Sequence, residues 1–221
     1  MLSEPATKRG RATRERLVAA ADTMISERGV DGASLDQILA SANVSKGQLY
    51  HYFTGKDELV RAVIARRRDE IVGKQASLLP ELDTWAAIEK WLTIFSEGHR
   101  AQGFRGGCPI GSLANELADR DDRAREDLAE CFDVWQGFLV QGLEKMRRRG
   151  EIRRNGDPHE LATAVFAAMQ GGLLLSKTRK DPEPLRIATG AALAHLRSFK
   201  ANGRRGGSAY KRSRKRSAKQ G

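Results

Sequence analysis

Three observations predict an all-α fold for this sequence. Apolar residues recur every three or four positions through most of the 221 residues, which is the period of one helix face. We find no segment that alternates apolar and polar residues as a half-buried strand does. Glycine and proline residues separate the periodic segments, and helices commonly begin or end at such residues. The chain is therefore interpreted as a succession of helices joined by loops.

The first helix is predicted to run from Thr13, a suitable cap, to about Arg28, where Gly29 ends it. Residues 1–12 precede it and contain three basic residues, so we expect a flexible basic arm there. The apolar residues that recur at helical spacing would form its buried face, and they are Leu17, Ala21, Met24 and Ile25.

Two short helices joined by a tight turn are predicted between Ser34 and Lys56. Ser34 is a good N-cap, and Gln37 three residues later completes the pattern of a capping box. Asn43 tolerates the left-handed backbone conformation, so it can end the first of these helices. Ser45 can then cap the second one.

The second short helix has two different faces. Leu49 and Phe53 lie four residues apart and can share a buried inner face. The outer face combines a cation, a small residue, an amide and aromatic hydroxyls, which suit phosphates and base edges in a DNA major groove. A generic helical hairpin with a polar outer face is the competing interpretation. The predicted DNA-facing residues of this helix and the following turn are Lys46, Gly47, Gln48, Tyr50, His51 and Tyr52.

The segment VSKGQLYHYFTGKDEL resembles the recognition-helix signature of the TetR family of bacterial transcriptional regulators. The resemblance is specific over about residues 13–63. It implies an all-helical homodimer, with a three-helix helix-turn-helix domain at 13–54, a connector helix at 55–71, and a helical ligand-binding and dimerisation domain at 72–200. The family's DNA-contact positions fall on Ser34, Lys46, Gly47, Gln48, Tyr50, Tyr52 and Lys56.

The C-terminal helices are predicted from their apolar stripes. They start near Thr84 and Pro109, and then span Asp121–Arg149, His159–Lys177 and Leu185–Phe199. By the resemblance, the last two helices form a four-helix bundle across the dimer twofold axis. The glycines at positions 171 and 172 would permit a close backbone approach there, or they only loosen a core helix.

A group of large apolar residues could line a cavity for an apolar or aromatic effector. Plain hydrophobic core is the competing interpretation of the same stripes. His99 and Gln170 are possible polar groups that would orient the effector. The predicted effector residues are Trp91, Phe95, Trp135, Phe138, Phe166 and Met169.

Cys108 lies in the segment GGCPIGSLANELA, just before a predicted helix. A thiol at a helix N-terminus experiences the positive end of the helix dipole, which favours the reactive thiolate. Lys177 could stabilise that thiolate or trap an oxidised sulfur. The segment resembles a TetR subgroup, some of which sense quinones, electrophiles or oxidants; a small buried helix-start residue is the alternative. Cys131 is expected to be inert core.

The net charge of +11 is concentrated in residues 201–221, which carry eight basic residues and no acid. We expect a disordered tail that adds sequence-independent affinity for DNA. The competing functional class is therefore a non-specific architectural DNA-binding protein driven by this tail.

Several other classes find no support in the sequence. The four histidines are scattered, and we find no phosphate-cradling loop or metal-ligand spacing, so no enzyme, cofactor or metal is expected. No segment has the length of a membrane span or of a signal-peptide core, so we expect a cytoplasmic protein without membrane contact. The favoured function is a transcriptional regulator, in the first place a repressor, that responds to a ligand or an electrophile.

Overall fold

A computed structural model describes residues 5–201, and its helical content confirms the all-α prediction. Within that range one isolated bridge, between Ile152 and Lys200, is the only β-type pairing. A short 3-10 turn spans Leu79–Glu81. The α-helices are α1 (Lys8–Gly32), α2 (Leu35–Ala42), α3 (Lys46–Tyr50), α4 (Lys56–Lys74), α5 (Trp85–Ala101), α6 (Pro109–Leu117), α7 (Asp122–Arg148), α8 (Pro158–Arg179) and α9 (Glu183–Ser198).

The predicted start of the first helix at Thr13 is wrong. The helix begins at Lys8, capped by Thr7, whose hydroxyl accepts a hydrogen bond from the Gly10 N–H at 3.0 Å. Residues 8–12 of the predicted flexible arm are therefore helical. At the other end, Gly29 leaves the helical conformation with φ 75°, and it interrupts α1 where the sequence indicated.

The caps around the turn agree with the predictions in part. The Ser34 hydroxyl accepts from the Gln37 N–H at 3.3 Å, but the Gln37 side chain accepts from Arg28 instead of completing the box. The reciprocal capping box lies at the start of α3, between Ser45 and Gln48. Asn43 ends α2 in the left-handed conformation, with φ 51° and ψ 54°, as predicted.

The two halves of the chain share the long connector α4. In the N-terminal half, Leu17, Ile38, Leu49 and Phe53 form a core between α1, α2 and α3, and all four are essentially inaccessible to solvent. Helix α4 packs against α1 on one side and against α6 and α7 on the other. Burying such apolar surface is the main favourable contribution to folding, so α4 belongs to both cores.

The two neighbouring glycines of α8 face different surroundings. A Cβ on Gly172 would lie 2.8 Å from the Ala188 Cβ, so this glycine permits close packing of α8 against α9 within the chain. A Cβ on Gly171 would meet no atom within 4 Å among the described residues. On the same pair of helices, Leu174, Leu175 and Ile187 are exposed.

Residues 1–4 and 202–221 lie outside the described part of the chain, and the predicted basic tail falls there except for its first residue. None of the helices between residues 5 and 201 combines the length and the apolar character needed to cross a membrane.

Candidate functional site

Helix α3 presents the predicted polar face to solvent. Lys46, Gly47, Gln48 and His51 are exposed, and Tyr50 has half of its surface accessible. Leu49 lies on the opposite side with no accessible surface, so the helix is anchored by one face only. An apolar face that is fully buried holds the polar face in a fixed orientation, which is what groove recognition requires.

Three other predicted contact positions, Ser34, Tyr52 and Lys56, lie around this face. Tyr52 is half-buried and lies over the start of α1, with its hydroxyl 3.6 Å from the position of a Cβ on Gly10. The Gln48 side-chain oxygen accepts from the Ser45 N–H at 3.0 Å, and the Ser34 hydroxyl caps α2. These hydrogen bonds order the backbone around α3, and they leave the two donors of the Gln48 amide for a partner.

Lys56 is half-buried, and its side chain already has a hydrogen-bond partner within the protein. Its ammonium group donates to the Val30 carbonyl at 2.6 Å. The N–H of the same residue, Val30, donates to a carboxylate oxygen of Glu116 in α6, also at 2.6 Å. Val30 in the DNA-binding half is thus hydrogen-bonded to side chains of both α4 and α6. The sequence analysis did not predict this arrangement.

A second contact between the halves is built on Arg67, which is buried. Its guanidinium donates to Asp22 at 2.7 Å and to Ser26 at 2.8 Å in α1, and to the Pro109 carbonyl at 2.9 Å. Arg67 lies within a run of five charged residues, 66–70, in the second half of α4. Its partners lie more than 40 residues away in the sequence, so local pattern could not reveal the site.

A cavity of about 290 Å³ lies at the other end of this contact, bounded by the end of α4, by α5, by the loop before α6 and by α7. Four of the predicted effector residues line it, namely Trp91, Phe95, Cys108 and Trp135. His99 lines it as well, with its ring edge-on to Phe95 at 4.6 Å.

Three other predicted effector residues lie outside this cavity lining. Phe166 is buried behind the cavity, with its ring perpendicular to Trp135 at 5.0 Å between centroids. Met169 has no accessible surface, and Phe138 is half-buried against the general core. For these three residues the plain-core interpretation fits the structure better, and their contact with an effector would require rearrangement.

Cys108 is the N-cap of α6, and its sulfur accepts from the Gly111 N–H at 3.3 Å. Burial nevertheless raises the pKa of this thiol, while the Gly111 hydrogen bond and the Gln170 amide act in the opposite direction. The prediction that the helix N-terminus favours a thiolate is therefore wrong in its net sign. Desolvation outweighs the dipole here, because removing a thiolate from water opposes ionisation.

Lys177 contacts the loop before α6, but it forms no described hydrogen bond with the Cys108 sulfur. Its ammonium donates to the Gly106 carbonyl at 3.1 Å. Cys131 lies in α7, where burial raises its pKa to about 11, which agrees with an inert core residue. In the region from residue 5 to residue 201, no group of three or more His, Cys, Asp or Glu residues is arranged to hold a metal ion.

Comparisons with known proteins agree with this architecture. Residues 17–63 match the family model for bacterial regulatory proteins of the tetR family. Residues 84–192 match the model for the tetracyclin repressor-like C-terminal domain. The pattern of a DNA-binding half followed by a regulatory half is therefore common to the chain and to these models.

Two curated relatives cover most of the chain. The transcriptional regulator AcuR of Cereibacter sphaeroides is 31% identical over 182 residues, which are 79% of this chain and 81% of AcuR. The transcriptional repressor NemR of Escherichia coli K12 is 27% identical over 193 residues, which are 85% of this chain and 93% of NemR.

Solved structures show the same fold. A regulatory protein TetR from Rhodobacter sphaeroides superposes with a TM-score of 0.65 at 29% identity, covering 83% of this chain and 98% of that one. The reduced form of Escherichia coli NemR superposes with a TM-score of 0.68 at 26% identity, covering 86% and 98%. Neither an enzyme nor an architectural DNA-binding protein is supported by these likenesses. The chain belongs to the TetR family, and it is a DNA-binding transcriptional regulator.

Proposed function

We propose that this protein is a cytoplasmic repressor that binds a pseudo-palindromic operator as a homodimer and leaves it when an effector binds or a thiol is modified. The observation that carries the proposal is the exposed polar face of α3 on a fully buried apolar face. A helix of five residues can read only a few base pairs, so a twofold pair of such helices is needed for a specific site. NemR is called a repressor, and this name favours repression over activation.

The outer surfaces of α8 and α9 are the proposed dimer contact. Leu174, Leu175 and Ile187 expose between 46% and 58% of their surface there. A Cβ on Gly171 or on Gly190 would meet no atom of the described residues within 4 Å, so another backbone can approach closely at these positions. Contiguous exposed apolar surface on a soluble protein commonly marks an interaction site.

Release from DNA would pass through α6, which touches both sites. Its first turn follows Cys108 at the cavity, and Glu116 near its end holds Val30 beside the helix-turn-helix. A ligand shifts an equilibrium only by binding one conformation better than the other. An effector that favours a displaced α6 would therefore change the positions of the two recognition helices relative to each other.

The operator proposal is tested by fluorescence anisotropy with DNA from the protein's own upstream region, in the presence of excess unrelated DNA. We expect specific binding that survives the competitor. If unrelated DNA already abolishes binding at the same mass as the upstream DNA, this would contradict the operator proposal and favour the architectural class.

The thiol branch is tested in the same assay with N-ethylmaleimide. Wild type and Cys131→Ser should lose operator binding on treatment, while Cys108→Ser should keep it. If all three proteins respond alike, or none responds, Cys108 is a structural residue and release depends on the cavity alone.

A further inference from the structure

The two tryptophans of the cavity differ in one hydrogen bond. The indole N–H of Trp91 donates to the Gln75 side-chain oxygen at 2.7 Å. Only 3% of Trp135 is accessible to solvent. Its indole N–H is buried and has no hydrogen-bond partner anywhere in the described chain. Buried donors are nearly always paired, because an unmade hydrogen bond in a protein interior is unfavourable. The Trp135 N–H therefore marks a place where a partner is expected.

His99 provides a second unpaired nitrogen on the same cavity. Its Nδ1 is buried and has no hydrogen-bond partner within residues 5–201. Burial lowers the pKa of His99, so its imidazole is neutral at pH 7. A neutral imidazole offers one donor and one acceptor but no charge.

The charged groups near the cavity are already hydrogen-bonded or solvated. The ammonium of the half-buried Lys177 donates to the Gly106 carbonyl. Lys74 is the one formally charged residue of the lining; its side chain is 78% exposed and lies 3.7 Å from Glu70. Arg67 is buried, and it is engaged by Asp22 and by the Pro109 carbonyl. A carboxylate entering the cavity would lose its water without gaining a buried counter-charge, which is strongly unfavourable.

We propose that this cavity binds an uncharged apolar or aromatic molecule that carries a hydrogen-bond acceptor oxygen, and that the Trp135 N–H holds this oxygen. The residues that line the cavity and would surround the ligand include Trp91, Phe95, Cys108 and His99. The Trp135 nitrogen is closed to solvent in the ligand-free protein, so this side chain must shift for the ligand oxygen to reach it. This inference rests on the proposed effector site, and it specifies the chemistry that the site selects.

Three probes of similar size separate the possibilities, namely acetophenone, ethylbenzene and benzoate. Acetophenone has the acceptor oxygen, ethylbenzene lacks it, and benzoate adds a charge. In isothermal titration with the full-length protein, acetophenone should bind about tenfold more tightly than ethylbenzene, which is the effect of one buried hydrogen bond. Benzoate should bind most weakly of the three.

A matched pair of variants assigns the preference to one N–H group. Trp135→Phe removes the donor and should bring acetophenone and ethylbenzene to within about twofold of each other. Trp85→Phe is the control, because the Trp85 N–H is also buried without a partner among the described residues, yet Trp85 does not line the cavity. This control should keep the tenfold preference.

The binding site of acetophenone is located by its effect on the alkylation of the two cysteines. Acetophenone at saturation should slow the alkylation of Cys108 by iodoacetamide, measured by peptide mass spectrometry, and leave Cys131 unchanged. Cys131 borders a different cavity, beside Tyr52 and Arg68, so it serves as the internal reference.

Each contrary result overturns the inference. Acetophenone that fails to bind, equal binding of acetophenone and ethylbenzene by wild type, tightest binding of benzoate, or equal protection of both cysteines would each do so. The wild-type comparison needs no variant, so poor folding of Trp135→Phe cannot hide the result. None of these measurements uses DNA, so their failure would leave the operator proposal to its own experiment.

Discussion

The proposed recognition helix and the cavity both offer polar groups that lack a partner among residues 5–201, but under opposite conditions. On α3 these groups are exposed, so water satisfies them in the free protein. In the cavity, the Trp135 and His99 nitrogens are buried, and their missing hydrogen bonds weigh on the stability of the free protein. Unpaired polar groups at an exposed site therefore leave the stability of the folded protein unchanged. Unpaired polar groups at a buried site lower this stability as long as no ligand is bound.

The largest effect is expected where the two regions are joined. Arg67→Met would leave Asp22 and the Pro109 carbonyl without their buried partner, and it should lower the free energy of unfolding by about 3 kcal/mol. This lies at the low end for a broken buried pair, because Arg66 remains 3.6 Å from Asp22. Urea denaturation measures the change in the free energy of unfolding.

The control is the neighbouring Arg68→Met, which removes only exposed ion pairs and should change the free energy of unfolding by less than about 0.5 kcal/mol. If both variants lose a similar free energy of unfolding, Arg67 does not hold the two halves of the chain together.

Changes on α3 should affect DNA binding alone. Tyr50→Ala and Lys46→Ala should weaken specific operator binding by about 1–3 kcal/mol and leave the free energy of unfolding and the dimer intact, because both side chains are exposed. Anisotropy titrations at several salt concentrations measure the binding, and Lys46→Ala should also reduce the salt dependence by about one phosphate contact.

The control for α3 is Lys90→Ala, which removes an equally exposed cation from α5. It should leave operator affinity within about twofold of wild type, since charges far from the DNA contribute little at moderate salt. Specific binding that survives both α3 variants would mean that α3 is not the recognition helix.

The two cavity tryptophans allow a smaller but sharper comparison. Trp91→Phe and Trp135→Phe lose the same ring volume, but only the first loses a hydrogen bond, the one to Gln75. Trp91→Phe should therefore be about 1 kcal/mol less stable than Trp135→Phe. Thermal and urea denaturation of the ligand-free proteins measure the difference. Equal stability of the two variants would imply that Trp135 has a partner after all.

The smallest effect concerns pH. The folded protein holds His99 with a lowered pKa, so below the unfolded value, near 6.5, the unfolded chain binds more protons than the native one. Native stability contributed by this group is thus complete above that pH and declines as the pH falls. His99→Gln should show a shallower loss of stability between pH 7 and 5 than wild type. A slope identical to that of wild type would place His99 in contact with water.

The sequence predicted those features that depend on neighbouring residues. The caps at Ser34 and Ser45, the left-handed Asn43 and the two faces of α3 follow from short-range backbone geometry, and they were found. The start of α1 was misplaced, because Thr7 and Thr13 are both plausible caps and only packing distinguishes them.

The properties of the cavity depend on residues far apart in the sequence, and there prediction was weaker. The dipole at the α6 N-terminus could be inferred, but not the burial that reverses its effect on Cys108. Nor does the sequence distinguish Trp91 from Trp135, since the difference is the presence of Gln75 near one of them. Local rules describe the proposed recognition helix well, whereas the proposed effector cavity is defined by tertiary contacts.

The grip on Val30 offers a way to observe communication between the halves one atom at a time. Its amide hydrogen is held by a carboxylate from α6, and its carbonyl by an ammonium group from α4. An amide hydrogen bonded to a carboxylate resonates far downfield in a nitrogen–proton NMR spectrum and exchanges slowly with deuterium oxide. This single resonance should therefore shift and lose its protection when α6 moves, and it would report the regulator's conformational state without DNA or a label.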